Sequence, residues 1–251
     1  MSFPKFGHRL NRLAPWLLGL AVLLAAGAAS AQQLSLDLGE GGTLSGRVLQ
    51  LIALTTVLSL APSILVMVTS FTRIIVVLSL MRSAIGIQQS PPNSVLVSLA
   101  LFLTAFIMAP TFQQSYQDGI VPYVDQEIEE SEAFDRAVAP IRIFMLSQVR
   151  EKDLKLFLDI SRTEEPETAE ATPLHVLIPA FLISELKRAF EIGFLIFVPF
   201  IVIDMVVASV LMSMGMMMLP PVIISLPFKL IFFVMVDGWG MIASSLVQSF
   251  G

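Results

Sequence analysis

Two charges stand deep inside apolar runs. Asp204 lies within FLIFVPFIVIDMVVASVLM and Lys229 within VIISLPFKLIFFVMV, 14 and 11 residues from a turn centred near Met218. At 1.5 Å per helical residue those depths are about 21 and 16 Å, so an antiparallel hairpin sets a lysine within reach of a carboxylate. The chemistry open to them is an ion pair, buried within the chain or shared between subunits. Its rival is a proton relay through Asp204, which calls for further titratable groups in series, and the flanking sequence has no such run. A second group, Glu185, Lys187, Arg188 and Glu191, interrupts FLISELKRAFEIGF. Glu185 with Arg188 (i,i+3) and Lys187 with Glu191 (i,i+4) have the spacing of bridges on one helix. Such charges fix how copies dock, or they mark a helix end at the headgroup level with the basic side chains snorkelling. The third group is the turn itself, MSMGMMMLPP, with Met212, Met214, Met216, Met217 and Met218 ahead of Pro220 and Pro221. Thioethers are unbranched and polarizable, suited to a soft apolar gasket that repacks around different shapes. A copper(I) site and an ordinary apolar turn are the alternatives.

Other chemistries are excluded by what the chain lacks. It has no cysteine, and His8 and His175 are its two histidines. Thiolate metal sites and thiol nucleophiles therefore have no material, and no Ser-His-Asp arrangement is read around His175, the one histidine outside the expected signal peptide. Neither a phosphate-binding G-x-x-x-x-G-K-[ST] loop nor a dinucleotide fingerprint occurs. No catalytic, cofactor-binding or metal-binding residue is assigned, and a net charge of −5 argues against a nucleic-acid surface. The 251 residues are 55% apolar and 14% charged, with a mean hydropathy of +0.82. Soluble domains carry about 25% charge, so the sequence implies an all-α membrane protein.

The elements that must position these groups follow from the apolar blocks. Lys5, Arg9 and Arg12 precede the run Leu17–Ala29 and an Ala29-Ser30-Ala31 site, the pattern of a secretory signal peptide over 1–31; an uncleaved first helix is the alternative. Residues 32–110 hold the N-terminal hydrophobic helices. The block 48–81 would measure about 51 Å as one helix against about 30 Å of hydrocarbon, so Pro62 is expected to kink or divide it. Arg73 and Arg82 mark its cytoplasmic end on a positive-inside count. Ser90-Pro91-Pro92 should start a second helix, with Ser as N-cap, ending at Pro110. Residues 111–173 carry 14 acidic and 6 basic residues and are expected to form an acidic extracytoplasmic helical module and linker. Ile141, Phe144, Met145 and Val149, then Leu154, Phe157 and Leu158, recur there at helical spacing; a solvated acidic spacer is the plainer alternative. Residues 174–251 form a C-terminal hydrophobic hairpin around the methionine loop. Four spans with the insert outside is the simplest topology.

Long stretches carry a resemblance. SFTRIIVVLSLMRSAIGIQQSPPN (70–93), LALFLTAFIMAP (99–110), residues 181–221 and ISLPFKLIFFVMVDGW (224–239) are similar to the FliP/SctR family of type III secretion export gates. The resemblance implies hydrophobic helical hairpins that assemble into a helical ring of about five copies together with FliQ and FliR, with FlhB and FlhA nearby. It implies an inner-membrane location with the bulk of the assembly on the periplasmic side, and a passive pore for unfolded rod, hook and filament proteins. Within it the Met212–Met218 loop would line the constriction and the FLISELKRAFEIGF charges would fall at subunit contacts. The signal peptide and the insert favour the flagellar branch over virulence injectisomes. An ion or solute channel and a scaffold without a conduit are the rivals from other classes.

Overall fold

A computed structural model describes residues 44–251 apart from positions 88, 164, 165, 167 and 217. The expected signal peptide and Met217 lie outside the described residues. The chain divides into two units, 1–56 and 57–251. In the first, the described part opens helix α1 (Leu44–Met67), with Val48, Leu49, Leu51, Ile52 and Leu54 exposed. Thr55 Oγ1 donates back to the Leu51 carbonyl at 2.9 Å, which keeps its hydroxyl satisfied on an apolar helix.

The second unit continues with α2 (Phe71–Ile85), α3 (Asn93–Ser115), a π-helical turn (Tyr116–Ile120) and the short α4 (Val121–Val124). Then come α5 (Glu130–Gln148), α6 (Glu151–Ser161), a 3-10 turn (Ala169–Ala171), α7 (Leu174–Ser213), α8 (Pro221–Met235) and α9 (Gly238–Gln248). Helix α2 is the buried one. Its Ile74, Val77, Leu78, Met81 and Ile85 repeat at helical spacing and meet Leu96 and Ala100 of α3, Ala189 and Phe200 of α7, Phe233 of α8 and Leu246 of α9. Gly193 sets the α2–α7 distance, because a Cβ there would come within 2.3 Å of Leu80 Cδ1.

The prolines act differently from expectation. Helix α1 continues through position 62 and the break falls at Val68–Ser70. Hydroxyls explain the place: Phe71 N–H donates to Thr69 Oγ1 at 3.4 Å, and Thr72 Oγ1 donates to the Val66 carbonyl at 3.3 Å. These side chains take up backbone groups that a break exposes. The second helix starts at Asn93, with Pro92 rather than Ser90 in the cap position, and it does not stop at Pro110. It runs on as a 32-residue rod, Asn93–Val124. Proline removes one N–H and deprives one carbonyl, a defect that apolar helices tolerate. Residues 111–124 of the expected module continue this helix.

Helix α7 is longer than a single span needs. It is 40 residues long and passes through Pro179 and Pro199, about 60 Å against about 30 Å of hydrocarbon. Among the described residues the rod and α7 are the two helices long and apolar enough to cross a membrane, and the number is four, as expected, if two bent pairs each count as one span. One such pair is α8 with α9, bent by 61° where Asp237 takes a left-handed φ of 49°.

The insert packs on its neighbours: Met145 of α5 buries against Val68 and against Leu177 and Phe181 of α7, with Ile141, Phe144, Val149 and Leu154 around them. Gly119 touches α5 so closely that a Cβ would lie 2.6 Å from the Ala137 backbone nitrogen.

Candidate functional site

The α7–α8 hairpin ends in an apolar tip. Helix α7 closes with Met216 N–H on the Leu211 carbonyl and Gly215 N–H on the Met212 carbonyl, both at 3.0 Å, while Gly215 adopts φ of 74°. That paired bonding with a left-handed glycine stops a helix firmly. Pro220 and Pro221 then start α8, where a missing N–H does no harm. Met212, Met214 and Met216 are exposed, and Met218 is 97% exposed. The described methionines of the turn thus project from a rigidly terminated hairpin.

Asp204 and Lys229 brace this hairpin. Lys229 Nζ donates to Asp204 Oδ2 at 2.7 Å and to the Ala84 carbonyl at the end of α2 at 3.3 Å. Ser225 Oγ donates to the other Asp204 oxygen. Lys229 is 4% exposed, whereas the Asp204 side chain keeps 30% of its surface. The pair joins three helices of one chain, and its carboxylate borders a cleft lined by Ser83, Gly86 and Phe197.

A second charged node lies on α7 nearer its start. Arg73, 0% exposed, spends all five of its N–H groups. Nε and Nη2 grip the two oxygens of Glu185 as a fork, and Nη2 also reaches Gln148 Oε1 at 2.9 Å. Nη1 donates to the Ser249 carbonyl at 2.8 Å and to Ser249 Oγ at 3.0 Å. The guanidinium lies 3.7 Å from the centre of the Phe250 ring, which stacks on Phe144. Gln148 Nε2 completes the node on the Phe250 carbonyl at 3.2 Å. Helices α2, α5 and α7 and the segment after α9 are tied together here.

This node changes two expectations. Glu185 pairs with Arg73, 112 residues away, and not with Arg188; Arg188 donates instead to Gln148 Oε1 at 3.2 Å. A bidentate fork from a neighbouring helix matches the geometry of both carboxylate oxygens, and Arg188 turns to the amide oxygen instead. Arg73 is also no surface marker of membrane orientation, being internal and neutralised. Lys187 and Glu191 stay exposed, 3.8 Å apart. Nothing in the local spacing singled out Gln148, Ser225 or Ser249, though Arg73 within an apolar block was itself a signal that a partner was needed.

The insert docks on α7 through Asp153. Ser184 Oγ donates to its Oδ2 at 2.6 Å, and Arg150 Nε and Nη2 reach its two oxygens at 2.8 and 2.9 Å. Burial alone would raise this carboxyl, but the Ser184 hydroxyl and the Arg150 guanidinium outweigh it and hold the group below its ordinary value. Arg142 Nη1 fastens the linker end to α5 through the Glu170 and Thr172 carbonyls, at 2.9 and 2.6 Å. Among the described residues no group of three His, Cys, Asp or Glu comes together to hold a metal ion.

Residues 54–246 match the FliP family. A protein of Caulobacter vibrioides named flagellar biosynthetic protein FliP is 63% identical over 235 residues, covering 93% of this chain and 88% of its own length. A Bacillus subtilis protein of the same name is 56% identical over 201 residues, 80% of this chain and 91% of its own. One from Aquifex aeolicus is 46% identical over 233 residues, 91% and 97% respectively.

Proposed function

Since the chain belongs to the FliP family, we propose that it is a pore-forming subunit of the flagellar type III protein export gate. It conducts unfolded rod, hook and filament proteins across the bacterial inner membrane and catalyses no reaction. The single observation that carries this is the α7–α8 hairpin, whose exposed methionine tip stands on a rigid cap and a braced ion pair. Copies of the hairpin, about five around one axis as symmetric oligomers allow, bring their thioethers together. Flexible apolar side chains then close the resting hole to ions and yield around a moving chain. FliQ and FliR complete the ring, FlhB and FlhA lie close to it, and most of the assembly stands on the periplasmic side after cleavage of a signal peptide at 31.

The apolar surface supports the same conclusion. Phe102 and Phe106 on α3, Phe194 and Leu195 on α7 and Val234 and Met235 on α8 are all exposed. Only 22% and 11% of the most apolar windows of the rod and α7 are buried within the chain. Lipid or neighbouring subunits must cover what remains. Imaging of the chain co-expressed with its small membrane partners in detergent tests the proposal. The expected particle is a ring with residues 214–220 converging on the axis. A solitary copy, or a ring whose tips face the detergent, would overturn it.

A further inference from the structure

The charge count at the buried node is uneven. Two guanidiniums, Arg73 and Arg188, meet one carboxylate, Glu185, and Arg73 holds both of its oxygens. The only acceptor that Arg188 reaches among the described residues is Gln148 Oε1, an oxygen it shares with Arg73. An amide oxygen has two lone pairs, so that acceptor is then full. Arg188 is half-buried and has four further N–H groups with no protein acceptor. A guanidinium partly out of water and short of acceptors favours an anion beside it.

Resting on the multi-copy gate proposed above, we propose that Arg188 takes Glu191 of a second copy of this chain as its counter-ion. Charge complementarity on α7 favours this occupant. Glu191 lies three residues beyond Arg188, a rise of about 4.5 Å, so two α7 helices side by side with that small offset bring the groups level. Its side chain is 60% exposed and is held only by Lys187 at 3.8 Å, the longest of the described ion pairs. Phe190 and Phe194 on the flanking surface are 58% and 66% exposed and need cover. A head-to-tail contact of this type uses Arg188 of one copy and Glu191 of the next, and repeats between successive copies.

The absence of native cysteine makes the test clean. Chains carrying R188C are co-expressed with chains carrying E191C, assembled with their membrane partners and treated with a short bis-maleimide. Cross-linked dimers are expected from the mixture and not from either variant alone. In parallel, R188E and E191R should each lower the assembled fraction about tenfold, as loss of a desolvated charge pair does, and the double exchange should recover most of it. Assembled complexes that give no mixed cross-link, or a double exchange no better than the singles, overturn the pairing. Loss of bound anionic lipid in R188A, with assembly intact, also overturns it by naming a phosphate as the counter-ion. A wild-type chain that never assembles beyond one copy defeats the gate proposal itself, and is recognised before any variant is made.

Discussion

The Arg73 node and the methionine tip lie at opposite ends of α7 and obey opposite rules. At the node every donor of a buried guanidinium has an acceptor, from three other segments of the chain, and an aromatic ring closes one face. At the tip the described side chains are exposed thioethers that bond to nothing. Directional bonds in a low-dielectric site define one geometry and make departures expensive. Dispersion contacts of a flexible side chain define many geometries of nearly equal energy. A helix that is fixed at one end and adaptable at the other suits a part that must hold its place while something passes.

The node supplies the largest effect. Arg73→Leu strips Glu185 of its bidentate partner, leaving only Arg188 nearby, and should destabilise the detergent-solubilised protein by about 3–5 kcal/mol. Thermal unfolding would read this directly. Adding Glu185→Leu should recover much of the loss, since an apolar pair carries no desolvation penalty. If the double variant is no more stable than Arg73→Leu, the energy resides in the Gln148 and Ser249 bonds and the contrast between fork and tip weakens.

Between the two extremes stands the Asp204–Lys229 brace. Lys229→Met leaves Asp204 with the Ser225 hydroxyl and a partly open face, so the loss should be smaller, about 2 kcal/mol. Exchanging the two charges should restore part of the stability lost by either reversal alone. Equal damage from the exchange would mean that the Ala84 carbonyl, which only the lysine can use, matters more than the pair.

The insert's latch is smaller still and depends on pH. The Asp153 carboxyl is held below its ordinary value of 3.8. Its contribution is therefore complete above that value and is lost as pH falls through the lower folded value. Amide protection factors in α6 should stay high at neutral pH and fall at strongly acid pH. In Asp153→Asn the latch should be weaker by about 1 kcal/mol at neutral pH, with the acid-dependent step gone. A step of the same size in Asp153→Asn assigns it to other carboxylates.

How far these regions were legible depends on sequence distance. The Asp204–Lys229 brace follows from depth alone, because a tight hairpin fixes which residues stand level. The insert's core was equally readable, since Ile141, Phe144, Met145 and Val149 announce one face of one helix. The Glu185 partner was not, because helical spacing always offers a local candidate and says nothing about a residue 112 positions earlier. Proline misled for a related reason. Its effect depends on whether the carbonyl it orphans finds relief, and at positions 62, 110, 179 and 199 the helices simply continue. The continuous 40-residue α7 was hidden by charges that suggested helix ends, when they were in fact the node and its rim.

The tip should show the smallest change in stability and the largest in permeability. Met214→Ala, Met216→Ala and Met218→Ala together remove side chains that contact little, so unfolding should shift by no more than about 0.5 kcal/mol per site. If converging thioethers are what seals the assembled gate, the same triple variant should leak ions or small solutes in reconstituted vesicles while retaining its ring. Replacement by leucine separates adaptability from bulk. Leucine fills a similar volume but branches at Cγ and repacks less freely. A leucine gate that seals at rest yet exports poorly would show that the methionines serve to yield; one that seals and exports normally would show that apolar volume alone suffices. Unaltered permeability in the alanine variant would remove the seal from the tip altogether and leave its exposed methionines as ordinary apolar surface.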